Sequence, residues 1–245
     1  MNDTEPVTDV AKQFEKYLRN RGRTSERATN PDMCSVHLDQ PPVGCRYCLI
    51  DARAEADHAA ITRWHAEVQA AECDTRFPER YRAATADHPD VTTWVHQWET
   101  DHDRCPWMAL RGPVGTGKTH QAYGALRAAV TGNRPTTWLA YSETDLIARL
   151  RPRSGVDSEA ALAEYVNTPL LLIDDLGTAR PTEWSEETVY RIIDGRYNAC
   201  RPIIWTTNQD REGLRANLGD RVMSRLAEVC TSITLAGPDR RRTTT

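Results

Sequence analysis

This chain predicts an α/β fold built on a parallel five-stranded sheet, and three observations predict it. Gly112-Pro113-Val114-Gly115-Thr116-Gly117-Lys118-Thr119 is a complete G-x-x-x-x-G-K-[ST] phosphate loop. Leu170-Leu171-Leu172-Ile173 is a continuous apolar run that ends in Asp174 and Asp175, as a central parallel strand buried on both faces requires. From about Asp90 onward, apolar strands alternate with helical stretches, which is how a sheet with crossover helices reads.

Each element follows from its own stretch. Trp107-Met108-Ala109-Leu110 is a short buried strand leading into the loop, and His120 to Val130 is a helix whose N-terminus faces the bound anion. Thr136 to Tyr141 is a second strand, and Ser142 with Asp145 gives a helix-start signal directly after it. Pro202 to Thr207 forms another strand with Asn208 at its carboxyl end, where ligands of open α/β sheets lie. Cys230 to Leu235 is the last. Before the sheet, Ala52 to Ala84 reads as a long amphipathic helix or a helical pair, with Ile61, Trp64, Val68 and Ala71 at helical spacing. Thr85 to Asp90 is polar and reads as a linker. Val91 to Trp98 is a lead-in helix that packs through Trp94 and Trp98. Two domains are therefore expected, residues 1–85 and residues 86–245.

The loop carries the chemistry. Of 31 basic residues only Lys12, Lys16 and Lys118 are lysine, and one of the three stands where a compact ammonium is needed. A forked guanidinium is too wide to fold back over a phosphate chain. Gly112, Gly115 and Gly117 let the backbone aim its N–H groups at a phosphate. Pro113, Val114, Thr116 and His120 complete the turn around it. Lys118 would reach the β- and γ-phosphates of a nucleoside triphosphate, and Thr119 would be a ligand of Mg²⁺. Asp174 is placed to hold the same Mg²⁺, and Asp175 to orient or deprotonate the attacking water. The Asn208 amide could bind the γ-phosphate or that water.

Composition narrows the class. The formal charge of −4 excludes a generic polycation, and no apolar run approaches the length of a transmembrane helix. Met1-Asn2-Asp3-Thr4-Glu5 has no signal-peptide character. Seven cysteines in such a chain point to a reducing cytoplasm and to metal binding rather than disulfides. Cys34-x-x-His37 and Cys45-x-x-Cys48 supply four ligands from two tight turns, the spacing of a closed structural Zn²⁺ site. Such a metal would stabilise a small N-terminal helical domain that has little apolar material of its own. Cys73, Cys105, Cys200 and Cys230 lack such pairing and read as small core residues. His58 and His65 read as surface residues.

Four motifs in order carry a family resemblance: the phosphate loop, Leu171-Leu172-Ile173-Asp174-Asp175-Leu176-Gly177, Arg201 to Asn208, and Leu218-Gly219-Asp220-Arg221-Val222-Met223-Ser224-Arg225-Leu226. Together they resemble the AAA+ P-loop ATPases of the DnaC/IstB group, over roughly residues 90–245. The resemblance implies ATP as the nucleotide and Asn208 as sensor 1. It implies Arg225 as the arginine finger of a self-associating protein, with Arg221 one turn earlier as the alternative. Arg241, with Arg242 beside it, matches the sensor 2 segment. Asp175 departs from the glutamate many AAA+ enzymes carry there. The sequence stops directly after the last strand, so a domain lacking the C-terminal helical lid is expected.

The group implies three readings. One is a loader that holds a DnaB-type replicative helicase through the N-terminal module and places it on single-stranded DNA. Arg149, Arg151 and Arg153, with Tyr141 nearby, would supply phosphate and base contacts. Another is an ATPase regulating a transposase on duplex DNA. The third is an ATP-switched adaptor with little turnover. None of them involves a membrane.

Overall fold

The computed structural model describes residues 46–133, 136–152 and 157–239. The chain divides into two units, Met1–Ala60 and Ile61–Thr245. Helix α1, Arg46–Arg76, runs across the division. The second unit continues with a 3₁₀ turn at Glu79–Tyr81, then α2 (Pro89–Thr100), β1 (Trp107–Arg111), α3 (Lys118–Thr131), β2 (Trp138–Ser142) and α4 (Glu143–Leu150). After these come α5 (Ser158–Asn167), β3 (Leu170–Asp174), α6 (Glu183–Asn198), β4 (Ile203–Thr207), α7 (Arg211–Val229) and β5 (Cys230–Thr234). The expected fold class is present: five strands form one sheet in the order β2-β3-β4-β1-β5, and every pairing is parallel.

Side chains alternate across this sheet with period two, and two apolar layers result. Met108, Leu110, Leu172 and Ile204 face one layer, with Trp94, Trp98 and Leu126 from the helices and Phe77 from the bend after α1. Trp107, Ala109, Leu171, Ile173, Ile203 and Trp205 face the other, against Leu146, Tyr165, Ile192, Ile193 and Val222. Burying both faces is what makes the β3 sequence uniformly apolar. The tryptophans that supply much of the first layer keep their polar atoms satisfied. Trp94 Nε1 donates to the Pro106 carbonyl at 2.6 Å and Trp98 Nε1 to that of Ala129 at 3.1 Å.

Several expectations are refined. The N-terminal helix ends at Arg76 rather than near Ala84, because Phe77 turns into the core and Pro78 cannot continue the ladder. The stripe chosen for its face is not buried: Trp64 and Val68 are exposed, whereas Cys73 and Phe77 are buried. The polar stretch Thr85–Asp90 is held against α3. Gln121 Oε1 accepts from the backbone N–H groups of Asp87 and His88, each at 3.1 Å. Helical Gly124 makes this approach possible, since a Cβ there would collide with the Thr85 backbone. Cys73 and Cys105 are buried as expected, but Cys200 is exposed in the turn after α6, with φ 52°. Helix α7 is broken at Gly219, where φ is 78° and ψ 164°.

Candidate nucleotide site

At the carboxyl edge of β1 the loop turns through Gly112, Gly115 and Gly117, with φ of 137°, 84° and 94°, and Gly117 caps α3. The backbone N–H groups at that helix start are thereby available to an anion. Lys118 is buried, and its Nζ donates to the carbonyls of Gly112 at 2.9 Å and Pro113 at 2.7 Å. Thr116 Oγ1 donates to the Pro113 carbonyl at 3.0 Å, tightening the same turn.

The acids of β3 lie across from the loop. Asp174 Oδ1 accepts from Thr119 Oγ1 at 3.0 Å and from Thr206 Oγ1 at 2.6 Å. Burial raises its pKa, the Thr206 hydrogen bond works against that, and the neighbouring Asp175 charge adds to the rise. Asp175 takes the left-handed backbone, φ 55°, and its N–H donates to Thr206 Oγ1 at 2.9 Å. Its carboxylate accepts from Asn208 Nδ2 at 2.9 Å. Thr206 therefore bridges the two acids from near the carboxyl end of β4.

These groups surround one cavity of about 410 Å³, lined by Val114, Gly115, Gly117, Lys118, Thr119, His120, Asp174, Asp175 and Asn208 together with Arg80 and Tyr81. The size suits a nucleotide. The donor set fits Mg²⁺ as well: a hydroxyl and a carboxylate, both hard oxygen donors, already stand in contact at Thr119 and Asp174. Gly112, Pro113 and Thr116 shape the loop from behind.

Arg80 and Tyr81 belong to no sequence motif of the site. They come from the 3₁₀ turn after Pro78, and the Tyr81 ring stacks on Tyr123 with centroids 5.0 Å apart and planes 7° apart. Tyr123 lies one helical turn beyond Thr119 on α3. Nothing local marks the pair; only the packing of that turn on α3 brings it to the cavity.

Arg225 does not line the cavity. It is ion-paired with Asp194 of α6, and its guanidinium lies 5.2 Å from the Tyr190 ring centroid and 5.5 Å from that of Tyr197. Arg221 is exposed on the same helix. Arg149 lies over the Tyr141 ring at 4.9 Å, so that ring face is already covered. Cys34, His37 and Cys45 lie outside the described residues, as do Arg153, Arg241, Arg242 and the Cys48 side chain.

Fold and site together define a P-loop nucleotide-binding domain of the AAA+ class. The IstB-like ATP binding protein family model matches residues 98–242, and the chain belongs to that family. Over 128 residues it is 30% identical to YdaV of Escherichia coli (strain K12), covering 50% of this chain and 49% of that protein. Over 152 residues it is 26% identical to the replicative helicase loader DnaC of the same strain, covering 60% of this chain and 61% of DnaC. The chain thus spans about half to three-fifths of the length of these curated relatives. The crystal structure of the DnaC helicase loader superposes with a TM-score of 0.57 at 28% identity, over 65% of this chain and 100% of that one. No helix among the described residues is long and apolar enough to cross a membrane.

Proposed function

We propose that this protein is an ATP-dependent loader of a replicative, DnaB-type helicase, acting in the cytoplasm and placing its partner on single-stranded DNA. The observation that carries the ATPase part is the convergence of Lys118, Thr119, Asp174, Asp175 and Asn208 on one cavity. The likeness to DnaC supports the loader part.

Lys118 now donates to two neutral carbonyls, and phosphate oxygens are stronger acceptors for an ammonium. Nucleotide binding would therefore draw Nζ onto the β- and γ-phosphates. Thr119 and Asp174 would hold Mg²⁺, which neutralises charge on those phosphates. Asp175 would take the proton of the attacking water while Asn208 keeps its carboxylate oriented. In an assembled oligomer, Arg225 or Arg221 of one subunit would stabilise the γ-phosphoryl charge on its neighbour, and Arg241 would close on the nucleotide from the C-terminal segment. The residues N-terminal to the ATPase unit, with Cys34, His37, Cys45 and Cys48 holding Zn²⁺, would grip the helicase.

The test is co-purification of the full chain with the host replicative helicase, with and without ATP, beside an ATPase assay. Complex formation and turnover lost in Asp175→Asn are expected. Turnover without helicase binding, and a preference for duplex over single strands, would favour the transposase-regulating ATPase that the family model also accommodates. Metal analysis of protein purified without chelator should find one zinc per chain.

A further inference from the structure

Glu143 opens α4, yet it does not cap its own helix. The side chain is 3% exposed, and its Oε2 accepts from the backbone N–H groups of Gly177 at 3.0 Å and Ala179 at 2.8 Å. Burial raises its pKa, and the N–H groups of Ala179, Thr178 and Gly177 oppose that rise. A carboxylate withdrawn from water is costly unless its partners are good. Its placement is therefore explained by what it holds.

What it holds is the turn that begins at Asp175. Asp175 and Gly177 both have left-handed backbones, φ 55° and 86°, a conformation that persists in a non-glycine residue only when its surroundings over-determine it. Those surroundings come from three elements. On β4, Thr206 Oγ1 accepts the Asp175 N–H at 2.9 Å, the Thr206 carbonyl accepts the Leu176 N–H at 2.8 Å, and Thr207 Oγ1 donates to the Leu176 carbonyl at 2.8 Å. On α4, Glu143 holds Gly177 and Ala179. On α7, Asn217 Nδ2 donates to the Gly177 carbonyl at 2.6 Å. Gly177 is thus gripped at its N–H by one helix and at its C=O by another.

We propose that Glu143 is a positioning residue for Asp175: by fixing the Gly177–Ala179 turn it holds the Asp175 carboxylate toward the nucleotide, and it ties that carboxylate to α4, whose last turn carries Arg149 with Arg151 just beyond it. The inference rests on the reading of Asp175 as the group that activates water. Small displacements of a catalytic group cost much rate, about a hundredfold for roughly 1 Å, so the effect belongs in kcat rather than in nucleotide affinity.

Turnover at saturating ATP and the Kd of a fluorescent ATP analogue, measured on the full chain and its variants, test this. Glu143→Asp keeps the charge but withdraws the oxygens by one methylene; kcat should fall roughly tenfold to a hundredfold with Kd within about threefold. Glu143→Gln keeps an acceptor oxygen at the original reach and should recover most of kcat. Wild-type kcat in Glu143→Asp, or kcat and affinity falling together in both variants, overturns the proposal. Asp175→Asn separates the two layers. Equal turnover in wild type and Asp175→Asn would mean that the reading of Asp175 has failed, and this inference with it. Loss in Asp175→Asn but not in Glu143→Asp would mean that this inference alone has failed.

Discussion

The two edges of the sheet bury charge in opposite ways. At the amino edge Arg196, in the last turn of α6, is 0% exposed. Its guanidinium donates to the carbonyls of Tyr165 and Thr168, each at 2.7 Å, Pro169 at 3.2 Å and Pro202 at 2.6 Å. Burial, with the Arg201 charge nearby, pushes its pKa down to about 9, so it stays charged at neutral pH. At the carboxyl edge Lys118 is buried and Asp174 half-buried, but they open onto a cavity. One edge spends a cation on backbone carbonyls that lead into β3 and β4 and leaves no room for a ligand. The other holds its charges with partners a ligand can replace.

The largest effect should come from the closed edge. Arg196→Leu leaves four carbonyls without their donor, and we expect a loss of about 3–5 kcal/mol in urea unfolding. Nucleotide affinity of the surviving folded protein should not change. Lys118→Ala should do the reverse. Turnover should fall about 10²–10³-fold, while the melting temperature without nucleotide moves by no more than about 1 °C, less than the roughly 2–4 °C that one kcal/mol would cause. A destabilised Lys118→Ala, or an Arg196 variant that binds nucleotide poorly, would break the comparison.

Arg225 lies between these extremes, half-buried and held by Asp194 across α6 and α7. Partial exposure discounts such a pair, so Asp194→Asn should cost about 1 kcal/mol in thermal or urea unfolding. If Arg225 acts on a neighbouring subunit, freeing it from Asp194 should raise turnover, and the rise should grow with protein concentration. Turnover that rises with concentration equally in both proteins would assign Arg225 to packing between the two helices and leave the role in trans to Arg221. Turnover independent of concentration in both would exclude a finger in trans altogether.

How much of this was written locally follows from the same contrast. The phosphate loop, the two β3 acids and Asn208 are short motifs at strand ends, and the parallel sheet brings them together without further information. The central strands β1, β3 and β4 were legible because burial on both faces demands runs such as Leu170–Ile173. Arg80, Tyr81 and Glu143 were not, since their roles arise from contacts between distant segments: a 3₁₀ turn on α3, and a helix start on the turn after β3. Arg196 reads as one more surface arginine until Pro169 and Pro202 are seen to converge on it. The Trp64 stripe misled for a related reason, because helical spacing marks a face but not which face finds a partner.

The smallest effect tests whether the two edges are independent. Helix α6 joins them: Thr182 caps it at the carboxyl edge and Arg196 ends it at the amino edge. The cap is reciprocal, with Ser185 N–H donating to Thr182 Oγ1 at 3.1 Å and Thr182 N–H donating to Ser185 Oγ at 2.8 Å. Thr182→Ala should cost about 1 kcal/mol, seen as a fall of about 2–4 °C in melting temperature, with turnover within about twofold of wild type. Along this helix of sixteen residues, Thr182 and Arg196 stand roughly 21 Å apart at the rise of an α-helix. Sites that far apart with no shared partner add within about 0.5 kcal/mol. The double variant with Arg196→Leu should therefore lose the sum of the two single losses. A smaller or larger loss would mean that α6 transmits strain along its length, and that the amino edge participates in setting the geometry of the nucleotide site.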